Sequence, residues 1–148
     1  MPIRRTTLQS DETLEEFYQQ SIWKNSFKVT SDRMLELMAL INQHFIKTDI
    51  IATTSHQRLC IHREGDEEMN WVIIIAHSPL LKFHFEFRVA STRSPWKDAW
   101  MTGTCSSVQD AFVYLLISMN QTELWEGNDE LAQLSSSFIS PSSNEVDR

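Results

Sequence analysis

Two cysteines and five histidines are the residues through which this chain could run nucleophilic or metal chemistry. Cys60 and His62 stand two apart in "RLCIH", a spacing that puts both side chains on one face of a strand. Alternate strand positions can supply two ligands of a tetrahedral zinc site, and a third, such as His84 or Glu86, would have to come from a neighbouring strand. Neither a paired CxxC nor a His pair at i, i+4 occurs, so no metal ligand and no cofactor is expected. Cys105 is the better nucleophile candidate. It precedes a helical pattern whose dipole would favour thiolate. A catalytic cysteine also needs a base and an orienting group; sequence alone places none of the five histidines relative to Cys105, and the family signatures around a catalytic cysteine are absent. The G-x-S-x-G, Walker and G-x-G-x-x-G motifs are absent. The expectation is a protein that is not an enzyme, with a cysteine enzyme built on Cys105 as the lesser reading.

The residues that could bind sit on "LKFHFEFRVAS". Leu81, Phe83, Phe85, Phe87 and Val89 point one way, and Lys82, His84, Glu86 and Arg88 the other. Arg58 and His62 share one side of their own strand. If the two sets meet, they form a cationic patch in an otherwise acidic chain. Trp96 and Trp100 follow in "RSPWKDAW", and Trp and Arg are enriched at binding hot spots. The candidate binding residues are therefore Arg58, His62, Lys82, His84, Arg88, Trp96 and Trp100.

The elements that must position them read as follows. "SDETLEEFYQQ" starts a helix capped by Ser10 or Asp11, with Leu14, Phe17, Tyr18 and Ile22 as its apolar stripe. Thr30, Ser31 or Asp32 caps a second helix, with Met34, Met38, Ile41 and Phe45 as its stripe, widened by Leu37, Leu40 and His44. Residues 49 to 63 read as strand with a change of phase, since Ile50 and Ala52 are apolar at even positions and Leu59 and Ile61 at odd ones. A one-residue slip flips every side chain, so "TTSHQ" should hold a bulge or a turn. "EGDEEMN" is a turn. "WVIIIAH" reads as a central strand covered on both faces. "AWMTGTC" is a candidate fourth strand, and "SSVQDAFVYLLISMN" a helix capped by Ser106 or Ser107. "NDELAQL" can add a helical segment.

The strand, small-residue turn and helix of "AWMTGTCSSVQDAFVYLL" share an outline with the end of a double-stranded RNA-binding domain. The lysine cluster that grips phosphate there is replaced by Ser106, Ser107, Val108, Gln109 and Asp110, so the likeness is not taken as membership.

The order helix, helix, three or four antiparallel strands, helix implies an α+β two-layer sandwich. An antiparallel sheet of three to five strands carries helices on one face, because short hairpins exclude parallel crossovers. One domain is expected over 1–134, with a low-complexity tail, 135–148, expected to be disordered.

The 148 residues carry a formal net charge of −7. The excess is uneven. Residues 101–148 hold seven carboxylates and one cation, whereas 1–60 hold seven of each. That balance lowers the prior for general nucleic-acid binding and suits a basic protein partner. With two cysteines, no apolar leader and no apolar run long enough to span a bilayer, the expected setting is soluble, cytoplasmic and reducing, away from any membrane. The functional expectation is a small acidic cytosolic binding protein acting by protein–protein docking, of immunity-protein, inhibitor or chaperone-like type. The alternative is a nucleic-acid-binding domain using the cationic sheet face. A homodimer is also compatible.

Overall fold

The structure, a computed structural model, describes residues 3–5, 12–19, 28–55, 58–63, 71–77, 82–90 and 92–139, with backbone alone at Arg4, 28–30, Ser55 and His77. Its elements are β1 (Ile3–Arg5), α1 (Leu14–Gln19), α2 (Lys28–His44), β2 (Ile50–Ser55), β3 (Arg58–His62), β4 (Val72–His77), β5 (Lys82–Arg88), β6 (Trp100–Cys105), α3 (Val108–Thr122) and α4 (Asp129–Phe138). The sheet runs in chain order from β1 to β6. Strands β2 to β6 form an antiparallel meander, and the helices pack on one face. The α+β two-layer architecture is therefore the one the alternating and helical patterns imply. No helix among the described residues is long and apolar enough to cross a membrane.

One strand was not anticipated. β1 pairs parallel to β2, with Ile3 opposite Ile50 and Arg5 opposite Ala52. A parallel neighbour needs a long crossover, and α1 and α2 supply it. Buried Ile3 donates its N–H to Asn42 Oδ1 of α2 at 3.2 Å. Arg5 bonds Glu12 at 2.9 Å and Thr54 Oγ1 at 2.6 Å, with its guanidinium over Phe17. The sheet thus has six strands rather than three to five.

The phase change has a simple cause. Register pairs Ser55 with Arg58, Thr53 with Cys60 and Ile51 with His62, so every opposed pair joins an odd position to an even one. Even positions of β2 and odd positions of β3 therefore share a face. The change falls between two antiparallel neighbours, β2 and β3, at 56–57, which lie outside the described residues, as does "EGDEEMN".

Caps differ from expectation at two helices. Thr13, not Ser10 or Asp11, starts α1. Glu16 N–H donates to Thr13 Oγ1 at 3.0 Å and Thr13 N–H to Glu16 Oε1 at 2.9 Å, a reciprocal capping box. The Thr13 backbone and hydroxyl bonds hold the Glu16 carboxyl below its ordinary pKa. Helix α2 begins at Lys28, so Thr30 to Asp32 lie within it. Ser107 caps α3 as expected, accepting from Asp110 N–H at 3.0 Å.

The core lies between the layers. Met34, Leu37, Met38 and Ile41 of α2, Phe45 just past its end, and Ala111, Phe112, Leu115, Leu116 and Met119 of α3 meet Leu59, Ile61, Val72, Ile74, Phe83, Phe85 and Phe87 of the sheet, all buried. The stripe of α2 is core, including its methionines.

Helix α4 carries the fold past residue 134, where a tail was expected to begin, and ends at Phe138; residues 140–148 lie outside the described residues. Its docking is set at the N-terminus. Asn128 caps it by accepting from Leu131 N–H at 2.8 Å. Glu130 accepts from Ile46 N–H at 2.8 Å, Lys47 N–H at 3.0 Å, Thr48 N–H at 2.8 Å and the Thr48 hydroxyl at 2.7 Å. Desolvation pushes this carboxyl up, but the four donors together outweigh it and hold the pKa below normal. A depressed carboxyl stabilises the fold above its unfolded pKa, and the contribution fades as pH falls through the folded value. Glu130→Gln is therefore expected to cost about 1–2 kcal/mol at neutral pH, as bonds to a charged group do at a partly open site. In paired urea titrations the gap between wild type and variant should narrow below about pH 4.

Candidate docking face

The register decides which side chains share the sheet's second face. Cys60 lies opposite Ile73, Ile73 opposite Glu86, and Glu86 opposite Thr102. That row fixes the face for every second residue on each strand. Arg58 and His62 of β3 therefore do join Lys82, His84 and Arg88 of β5, all turned away from the helices. Trp100 of β6 is opposite Arg88 and belongs to the same face. Arg58, Lys82 and Trp100 are exposed, while His62, His84, Glu86 and Arg88 are half-buried.

The middle of this face is apolar. Ile73 and Ile75 of β4 are half-buried, in contrast to Ile74 and Ala76, which point into the core and are fully buried. "WVIIIAH" is thus sealed on its helix side only, which corrects the expectation that both faces are covered. Ile75 lies opposite His84 and Ile73 opposite Glu86, so the aliphatic pair is flanked by polar groups.

Charge on the face is partly compensated. His84 Nε2 lies 2.9 Å from Glu86 Oε1, and Arg88 lies 3.5 Å from Asp98. Arg58 and Lys82 form no ion pair among the described residues. His62 is held rather than offered. Its Nδ1 is 3.3 Å from the Arg63 carbonyl, its Nε2 is 3.0 Å from Thr53 Oγ1, and its ring stacks on Trp71 at 5.1 Å. A carbonyl only accepts, so Nδ1–H donates there and Nε2 accepts from the threonine in the neutral ring. Trp96, 71% exposed, does not lie on a strand. It lines a groove with Arg88, Lys97, Asp98, Glu123 and Leu124 at the end of the sheet.

The groups with nucleophilic or ligating chemistry are placed otherwise. Cys105 is buried against the core, and burial, with Asp110 adding to it against Arg33, pushes its thiol up to about 11. The helix dipole does not make it a thiolate. Burial likewise raises Cys60 to about 11, offset in part by Arg58. Cys60 and His62 share a face as their spacing implies, yet among the described residues no group of three His, Cys, Asp or Glu is arranged to hold a metal ion.

Compared with protein-family models, curated proteins and solved structures, the chain matches none. The face must be read from its own geometry. Ile73 and Ile75 are the members that sequence reasoning missed. A signal existed: a strand flanked by the alternating polar face of β5 must present one of its own faces to the same side.

Proposed function

We propose that this chain is a small, non-catalytic binding protein that docks the open sheet face onto another protein. The observation that supports it most is the half-buried Ile73–Ile75 pair, flanked on the face by Arg58, His84, Glu86 and Arg88, with Trp100 beyond Arg88. An apolar centre with a polar rim is the anatomy of a protein interface. With Glu86 and Asp98 set against His84 and Arg88, Arg58 and Lys82 leave the rim a cationic excess, so the complementary surface carries carboxylates. A basic partner fits less well. The C-terminal carboxylates that suggested one are partly engaged within the fold, Glu130 by the 46–48 backbone and Glu123 by Arg93 at 3.4 Å. Neutralising, inhibitory and chaperone-like roles are all forms of such docking. Two buried, unpaired cysteines suit a reducing compartment such as the cytoplasm.

Affinity capture from the native host, read by mass spectrometry, tests the reading. Wild type is expected to retain one protein in stoichiometric amount at low salt, and Lys82→Glu/Arg88→Glu to lose it as like charges meet. Capture that survives the double reversal would overturn the assignment of the face. The nucleic-acid reading draws on the same cations with Trp100 as a stacking platform. It requires a shift with single-stranded or duplex oligonucleotides at about 50 mM salt, where phosphate contacts are strong.

A further inference from the structure

The two edges of the sheet are built differently. β1 is three residues long, and two of them are arginines. Short length and charge are the usual protections of an edge. β6 reads Trp-Met-Thr-Gly-Thr-Cys, has no charge and no proline, and is exposed at Trp100, Met101, Thr102 and Thr104. Its free backbone groups can be assigned. Val89 N–H donates to the Ala99 carbonyl at 2.9 Å, just beyond the Arg88–Trp100 pair. Antiparallel ladders alternate, so Met101, Gly103 and Cys105 bond inward to β5. The N–H and C=O of Trp100, Thr102 and Thr104 then point off the sheet.

We infer that β6 pairs antiparallel with β6 of a second copy of this chain, about a two-fold axis at Thr102. A symmetric pairing sets the residue on the axis opposite its own copy, where a charge would meet its like, and its neighbours within one strand length of theirs; β6 carries no charge. Centred on Thr102, the register sets Trp100 across from the partner's Thr104 and Met101 across from the partner's Gly103. The three outward-facing residues then exchange both backbone bonds. On the helix side Gly103 brings no side chain of its own, because the Tyr114 ring already covers it, 3.1 Å from where a Cβ would stand. Met101, 47% exposed, packs beside the Tyr114 ring that covers the opposing glycine. Ile117, 36% exposed and three positions beyond Tyr114 on α3, extends the apolar contact. On the other side the two Trp100 rings join two sheet faces into one continuous surface.

Sedimentation equilibrium on the full-length chain alone tests this, independently of any docking partner. Wild type is expected at twice the chain mass at micromolar concentration, and Thr102→Lys at the single-chain mass with an unchanged circular dichroism spectrum and a cooperative melt that no longer depends on concentration. Amide exchange at Thr102 and Thr104 should be slow in wild type and fast in the variant. A monomer at all concentrations overturns the inference. So does a dimer that Thr102→Lys leaves intact, or one whose Thr102 and Thr104 amides exchange freely.

Discussion

Truncating Phe112 to alanine is expected to cost about 3–5 kcal/mol, the range for removing a buried aromatic ring. The ring is 1% exposed. It meets Phe45 at 6.1 Å, His44 at 5.0 Å and Phe138 at 5.2 Å between centroids. Three helices therefore converge on one side chain: the C-terminal end of α2, α3 itself, and α4. The neighbours cannot close the gap freely, because α2 and α3 are each fixed to the sheet by their other core residues. Against a total stability of about 5–15 kcal/mol, this is a large fraction. The melting temperature should fall by roughly 10 °C for a domain of this size. Phe138→Ala is the control. Its ring is 38% exposed at the end of α4 and should cost about 1 kcal/mol. Urea titrations that place the two variants within error of each other would show that the aromatic cluster does not hold α4 in place.

How far the sequence disclosed this fold depended on whether a signal was local. Phe83, Phe85 and Phe87 alternate with polar residues, and a period of two states both strand and buried face. Met34, Met38, Ile41 and Phe45 do the same for a helix. β1 has no such signal. Three residues carry no period, and Ile3 is a strand residue only because Ile50 and Asn42 meet it across the fold. The end of α4 was hidden by composition. "SSSF" resembles linker, but Ser135 donates to the Leu131 carbonyl at 2.7 Å and accepts from Asn120 Nδ2 at 2.9 Å. The Thr13–Glu16 capping box was legible as T-x-x-E and lay just past a more obvious Ser-Asp pair. Arg58, His62, Lys82, His84 and Arg88 were identified by alternation, while their convergence on one face depended on register across three strands. The unbroken run at Ile73 to Ile75 was the limit. Periodicity cannot tell a strand covered twice from one covered once.

That same run supplies the most discriminating functional experiment, the double variant Ile73→Thr/Ile75→Thr. Threonine keeps the β-branched shape and the strand propensity, and replaces an aliphatic arm with a hydroxyl. Because both positions are half-buried on the face away from the helices, the fold should lose only about 1 kcal/mol. Docking should lose much more. Side chains at the centre of an interface are the ones that become fully desolvated, and loss of a hot spot costs about 2 kcal/mol or more. The dissociation constant for the captured protein should therefore rise roughly 30-fold or beyond. The charge reversal Lys82→Glu/Arg88→Glu removes binding whether the ligand is an acidic protein surface or a phosphate backbone. The isoleucine variant separates the two. Phosphate contacts rest on Arg58, Lys82 and Arg88 and have no use for an aliphatic centre, so oligonucleotide binding would survive it with an unchanged salt slope. Oligonucleotide binding that Ile73→Thr/Ile75→Thr retains, measured by calorimetry on a variant that still melts cooperatively, would move the assignment from protein docking to nucleic acid.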